Sequence, residues 1–510
     1  MKIDFTPFVR PRFLKRAKRI DSWPGNSEKI QVAVLKSLLG RAAATEYGKK
    51  YGFADISKSD DPYRAYTERV PLVEYEDIRP LVMRMINGEK DVLWRDVCRD
   101  FAQSSGTSGG KSKFIPITKD SLSGNHYRGA EDAVAHYLRN KPHSKVFSGK
   151  GFILGGSFSN TLGIAAGKVH VGDLSATLIN RIGPYADFVR IPDKKTALLP
   201  DWDRKLPALV DAALKSDVTN ISGVPSWFMT VLKRIIEKKG AKTIGEVWPN
   251  LEVFFHGGIS FEPYREEYDA MTEGLDMTFV ETYNASEGFF ATQNSLDDHS
   301  LLLIIDRDIF FEFIPVEGDD KRPRPVWDLE KGVTYELVIS ASNGLWRYRV
   351  GDTVRVTSTD PVKIKIAGRT KSFINAFGEE LMEDNAERAI AAACKRTGSH
   401  ILNYTAAPVF AKKKRKGHHE WLIEWDDEPT DIKGFSMILD EELRKLNSDY
   451  DAKRKGSIFL AEPKIVTAKK GLFDRWLKSS GSGKLGGQRK VPRLCNNREI
   501  IDNLLELNKL

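Results

Sequence analysis

Cysteine is scarce in this sequence: Cys98, Cys394 and Cys495 are all it has in 510 residues. An odd number without framework spacing excludes a disulfide scaffold, and no Cys/His spacing suits a structural metal. A reducing compartment, the cytoplasm, is therefore expected. The N-terminal Met-Lys-Ile-Asp-Phe-Thr-Pro has no apolar core followed by small residues, so no signal peptide is expected. No apolar run approaches the ~20 residues of a membrane span. A large excess of one charge is missing too: 79 Lys+Arg against 70 Asp+Glu leave a net +9. The only dense basic run, Lys412-Lys413-Lys414-Arg415-Lys416 before Gly417, lies between two strand-like segments and reads as a hairpin turn. Without a basic stripe interleaved with aromatics, nucleic acid is not an expected partner. Internal repeats are absent. What remains, at 41% hydrophobic and 29% charged, is an ordinary globular composition, long enough for two or three domains.

What stands out is Ser-Ser-Gly-Thr-Ser-Gly-Gly-Lys-Ser-Lys-Phe at 104–114. Its glycines let the backbone aim several N–H groups at one place, while hydroxyls and lysines add donors and positive charge. This is the chemistry of a loop over nucleotide phosphates; a flexible surface linker is the alternative. The Walker A pattern would need glycine at 105, where Ser105 stands. The segment is instead similar to the phosphate loop of adenylating enzymes. Ser104, Ser105, Gly106, Thr107, Ser108 and Gly109 fit its core, and Lys113 is placed as its lysine.

The pattern along the chain is α/β. Residues 27–50 read as an amphipathic helix through Leu35, Leu38, Leu39 and Ala42. Strand-like Val218–Ser222, Leu251–Phe255 and Met277–Glu281 alternate with helical stretches, one of them opened by Pro225. From about 300 to 366 strands dominate, which suggests a β-rich subdomain packed against the first. The polar segment Gly368-Arg369-Thr370-Lys371-Ser372 marks a domain boundary at about 370, so domains are expected at 1–370 and 371–510. The second is read as α+β, with its last strand near Ile458–Ala461.

Four further clusters carry chemistry. Thr282-Tyr283-Asn284-Ala285-Ser286-Glu287-Gly288 follows an apolar strand, where ligands gather in open α/β sheets. Tyr283 can stack on adenine and Glu287 can hold Mg²⁺; a solvated loop glutamate is the alternative. Asp352 follows Gly351 in an expected turn, where it can accept both ribose hydroxyls or merely cap its own turn. Gly257 and Gly258 allow a flat ligand to approach, beside a His256 read as a core histidine. Gly483–Arg493 is glycine-rich and basic, an anion-seeking segment or a plain tail loop.

Together, Ser-Ser-Gly-Thr-Ser-x-Gly-x-x-Lys at 104–113, Tyr-x-x-Ser-Glu at 283–287, Tyr-Arg-x-Gly-Asp at 348–352 and Gln488-x-Lys490-x-Pro492-Arg493 resemble the nucleotide motifs of the GH3 family. These are acyl acid amido synthetases, a branch of the acyl-adenylate-forming superfamily; the hinge-like 368–380 segment resembles the general superfamily more, as in a microbial-type member. The resemblance implies a large adenylating domain followed by a smaller mobile one, with ATP and Mg²⁺ as cofactors. It implies activation of a carboxylic acid as acyl-adenylate, then transfer to an amine, an amino acid by expectation, or to the thiol of CoA as the alternative. It assigns the phosphates to 104–109 and Lys113, the metal to Glu287, adenine to Tyr283 with Thr282 also in the ATP site, the α-phosphate region to Ser286, and ribose to Asp352 with Arg369. Lys490 becomes the mobile catalytic lysine, and Lys371 with Ser372 the pivot. The acid pocket is expected between 120 and 230, near Phe158, Val224 and Trp227.

Overall fold

Residues 4–509 are described by the computed structural model, apart from 108–110, 161, 165–168, 184–185, 260, 262–263, 317, 370–372, 411–415, 456–459 and 480–490. The chain divides into two units, Met1–Ser104 with Lys113–Thr370, and Ser105–Ser112 with Lys371–Leu510. Among the described residues no helix is long and apolar enough to cross a membrane.

The helical reading of 27–50 resolves into two helices, Ser27–Ala42 and Glu46–Tyr51. The break comes at Thr45, whose hydroxyl accepts the Gly48 amide at 2.9 Å and caps the second helix. Leu35, Leu38, Leu39 and Ala42 are fully buried, as their spacing predicts.

The first strands are β1 (Asp100–Thr107), β2 (Lys111–Ile117), β3 (Lys150–Ile153) and β4 (His170–Gly172). β2, β1 and β4 form a small sheet in that order. The strands β5 (Arg190–Ile191), β6 (Val218–Gly223), β7 (Val253–Gly257) and β8 (Thr278–Ala285) follow, with helices such as Trp202–Leu214 and Pro225–Lys239 between them. Then come β9 (Gly288–Gln293), β10 (Leu301–Leu303), β11 (Ile309–Pro315), β12 (Arg324–Pro325), β13 (Thr334–Ala341), β14 (Tyr348–Thr359) and β15 (Val362–Arg369).

The β-rich stretch is joined to the α/β part strand to strand as well as packed against it. Both belong to one twelve-stranded sheet, ordered β12-β11-β13-β14-β15-β10-β9-β8-β7-β6-β3-β5. β3, β5, β6, β7 and β8 run parallel, as strand–helix alternation requires. β8 also pairs antiparallel with β9, and the strands beyond continue antiparallel. β8 is thus the seam. Sequence marks the change of connection, from helical crossovers to tight turns, but not that the ladder runs through it.

The antiparallel part curls. β8 and β14 are four ladder steps apart, about 19 Å in a flat sheet at ~4.8 Å per step. Yet the Tyr283 hydroxyl on β8 lies 2.5 Å from the Asp352 carboxylate on β14. Only a sheet folding toward closure brings those strands within one side chain's reach. Phe310, Phe311, Tyr335 and Ile339 fill this half with apolar bulk.

In the second unit, β16 (Phe373–Ile374) and β17 (Leu381–Met382) make a short ladder. β18 (His400–Val409) and β19 (His418–Asp427) are antiparallel, and β20 (Lys464–Ala468) joins β19 in parallel. The last strand lies later than the expected Ile458–Ala461; of that stretch 456–459 fall outside the described residues, and Leu460 makes a single bridge to Gly417. β18 and β19, before and after the basic run, are antiparallel; of the run itself 411–415 lie outside the described residues. Helices Glu383–Thr397 and Ile432–Leu446 cover this sheet, with Trp421, Phe435 and Leu439 fully buried.

Candidate active site

The seam strand carries the first group. Thr282, Tyr283 and Asn284 were expected beyond the strand; they lie inside β8, paired to β7 through Gly257↔Thr282 and to β9 through Tyr283↔Ala291. Partners on both sides keep the strand going, and threonine and tyrosine suit it. β8 then turns tightly: Ala285 pairs with Gly288, leaving Ser286 and Glu287 as the two residues of the turn. Glu287 is not a solvated loop residue. It is only 8% exposed, and its carbonyl accepts Asn343 Nδ2 at 3.0 Å.

Asp352 comes from β14. The turn expected at Gly351-Asp352 is instead a bulge in a continuous strand. Val350, Gly351 and Asp352 stand opposite the single Leu337 of β13, and Gly351 takes φ +90°. Asp352 stays in register with Arg369 on β15. The bulge leaves the carboxylate 8% exposed, with Oδ2 accepting the Tyr283 hydroxyl at 2.5 Å. The Tyr283 ring meets Phe290 edge-on at 4.9 Å.

Lys113 joins them from β2. The amide of Phe114 donates to Tyr75 Oη at 2.8 Å, which anchors the strand. Lys113 Nζ lies 5.5 Å from the centre of the Tyr348 ring, a cation–π geometry, and is largely buried. Tyr348 opens the strand that carries Asp352, whose start is tied to Val73 by main-chain bonds of 3.0 and 2.9 Å. Tyr283 and Asp352 are thus joined across β8 and β14, Lys113 reaches the start of β14 through Tyr348, and Glu287 lies in the turn that ends β8.

The phosphate segment is less of a loop than expected. Ser104, Ser105, Gly106 and Thr107 end β1, and β2 resumes at Lys111, because the two strands pair. Ser108 and Gly109 lie outside the described residues, as do Lys371, Ser372 and Lys490.

Gly257 and Gly258 have reasons within the fold. A Cβ at 257 would stand 2.3 Å from the Thr282 carbonyl oxygen, so the glycine lets β7 and β8 close up. Gly258 takes φ +85°. His256 is a core histidine as read: its ring stacks on Phe261 at 4.2 Å, and burial pushes it down to about 3.

The residues expected around the acid lie on different elements. Val224 lies beside Gly258, Trp227 packs on Trp202 at 4.6 Å, and Phe158 meets His170 of β4 at 5.3 Å. Sequence reading missed Lys205, buried on the helix Trp202–Leu214. Its ammonium donates to the carbonyls of Gly155 and Gly156 at 2.6 and 3.2 Å, just before Phe158, and burial pushes it down to about 8. A lysine at an inward helical position was the available signal. Arg347 and Arg349 are ion-paired in the sheet, to Glu312 and Glu336.

The GH3 family N-terminal domain matches residues 16–277, its central domain 302–369 and its C-terminal domain 384–499. The chain is 24% identical to the indole-3-acetic acid-amido synthetase GH3.4 of Arabidopsis thaliana, over 98% of this chain and 94% of that protein. To GH3.8 of Oryza sativa subsp. indica, of the same designation, it is also 24% identical, over 97% and 93%. The solved AtGH3.15 acyl acid amido synthetase in complex with 2,4-DB matches with a TM-score of 0.61 at 22% identity, covering 100% of this chain and 98% of that one. A 2-hydroxyisobutyryl-CoA ligase with 2-HIB-AMP and CoA matches at TM-score 0.55 and 13% identity, over 94% and 91%. The chain has the fold of adenylate-forming enzymes and belongs to the GH3 family of ligases.

Proposed function

We propose that this protein joins a carboxylic acid to an amine, an amino acid by preference, through an acyl-adenylate made from ATP. The observation that carries this reading is the direct bond between Tyr283 and Asp352, residues of two separate motifs, with Lys113 against Tyr348 of the second motif and Glu287 in the first.

In the first step a carboxylate oxygen of the acid bonds to the α-phosphorus of ATP while the bond from that phosphorus to the bridging oxygen breaks, releasing pyrophosphate. Two anions must meet, so the site has to offset charge. Lys113 and the main chain of 104–109 take the β- and γ-phosphates. Among the described residues no group of three or more His, Cys, Asp or Glu could hold a metal. Mg²⁺ shared with phosphate oxygens needs only one or two carboxylates, and Glu287 fits as one. Bound there, Mg²⁺ would neutralise phosphate charge. Thr282 and Tyr283 face the adenine, with Gly257 and Gly258 along its edge, and Ser286 lies toward the α-phosphate. Asp352 takes the ribose hydroxyls, its carboxylate oriented by the bond that Tyr283 donates to it, and Arg369 assists. Lys490 meets the α-phosphate.

In the second step the amine nitrogen bonds to the acyl carbon, AMP leaves with its oxygen, and the nitrogen loses a proton. The unit after 370 is the mobile one, turning at Lys371 and Ser372 between the steps. The acid lies toward Phe158, Val224 and Trp227.

ATP–pyrophosphate exchange across a panel of carboxylic acids tests the first step; no exchange with any acid overturns the reading. Offering the loaded enzyme amino acids and CoA together separates amide from thioester formation, the outcome that the likeness to a CoA ligase makes worth excluding.

A further inference from the structure

The turn that carries Glu287 is gripped by a segment to which no role has been given. Between Thr118 and the helix Tyr127–Asn140 the chain makes one turn of π-helix, Leu122–His126, with the Tyr127 amide donating to the Leu122 carbonyl. Such widened turns turn side chains out of their α-helical directions and gather at functional sites. Here the turn aims Asn125 and His126 at the two strands flanking Glu287.

Asn125 is 2% exposed and replaces a missing neighbour strand. Its Oδ1 accepts the Phe289 amide at 2.7 Å, and its Nδ2 donates to the carbonyls of Phe289 and Arg307 at 3.0 and 2.9 Å. His126, equally buried, faces the other strand, its Nδ1 3.3 Å from Asn284 Oδ1. An amide oxygen only accepts, so Nδ1 carries the proton. Asn284 and Phe289 are cross-strand partners on either side of the Ser286–Glu287 turn. From the far side Asn343 holds the Glu287 carbonyl. Two glycines let the segment come this close: a Cβ at 124 would stand 2.3 Å from the Asp308 carboxylate, and one at 129 would stand 2.4 Å from the Phe289 ring.

We propose that Asn125 and His126 are positioning residues for the metal-binding carboxylate, presetting Glu287 by fixing both strands of its turn. This rests on the reading of Glu287 as the Mg²⁺ carboxylate. Without the clamp the turn samples other conformations, and the metal–nucleotide complex must order it on binding.

Manganese binding, followed by electron paramagnetic resonance with a non-hydrolysable ATP analogue present, is the test. Asn125→Ala and His126→Phe are each expected to weaken Mn²⁺ at least fivefold, leaving metal-free binding of the analogue within twofold of the parent. His126→Gln, which keeps a donor, recovers more than half of the loss. If Asn125→Ala does not fold, the two His126 variants decide, since they differ in keeping a donor toward the Asn284 side chain. Mn²⁺ affinity unchanged in the clamp variants but weakened by Glu287→Gln overturns the clamp and spares the assignment of Glu287. Mn²⁺ affinity unchanged in Glu287→Gln overturns the assignment itself, and the clamp with it.

Discussion

One hydrogen bond joins two motifs that lie 69 residues apart, and it makes their roles separable. A bond from a hydroxyl to a carboxylate contributes about 1.5–3 kcal/mol where water is excluded. Tyr283→Phe keeps the ring and loses the bond, so the KM for ATP should rise about tenfold with the acid's KM unchanged. Asp352→Ala removes the carboxylate and should raise it further. Steady-state kinetics with each substrate varied in turn checks both, and an Asp352→Ala enzyme with parental ATP dependence would remove Asp352 from the nucleotide. These residues were legible because each sits in a run unsuited to a core: glycine with hydroxyls around 106, Ser-Glu after a tyrosine, Gly-Asp after arginine. Asn125 and His126 were not. An Asn-His pair ahead of a helix looks like any polar surface, and its meaning depends on a π-turn and on a strand 164 residues away.

At the scale of elements, the strands were read more securely than their ends. Val218–Ser222 is in place, and the helix from Pro225 runs to Lys239 as expected. One error of shape fell at a glycine. Gly351 looks like a turn but makes a bulge, because φ +90° serves either purpose and only the neighbouring strands decide which. The helix Tyr127–Asn140 rests on β9 through Gly129, so Gly129→Ala drives a methyl into the Phe289 ring. It should destabilise the protein by about 1–3 kcal/mol, read as a lower urea midpoint. Lys205 acts on the segment after β3 by holding two carbonyls ahead of Phe158. Lys205→Met should raise the KM for the acid several-fold while ATP dependence stays put; the reverse pattern would detach this segment from the acid.

Taken whole, the protein hides histidines that cannot easily charge. Burial pushes His126 and His136 down to about 4 and His256 to about 3, from an ordinary 6.5. The folded chain therefore binds fewer protons than the unfolded chain between about pH 6.5 and 4, and stability is lost as pH falls through that window. Each such group contributes about 1.4 kcal/mol per pH unit there. Urea midpoints at pH 7.5 and pH 5 should differ markedly, and His256→Phe, which keeps a ring against Phe261, should shrink the difference. Identical shrinkage by a surface histidine replacement would show that burial is not the cause.

The seam at β8 has a further consequence for how this chain can be cut and recombined. The stretch 302–369, matched by the family's central domain, begins within β10, a strand whose other neighbour is β9. Excised, it would offer unpaired amides and carbonyls along that rim, an invitation to add strands from other copies. Exchanging it between relatives severs a continuous ladder in the middle. A joint before Thr278 would sever the β7–β8 ladder in the same way, so a chimera that keeps its solubility has to preserve matched strand pairing on both sides of any joint in this sheet.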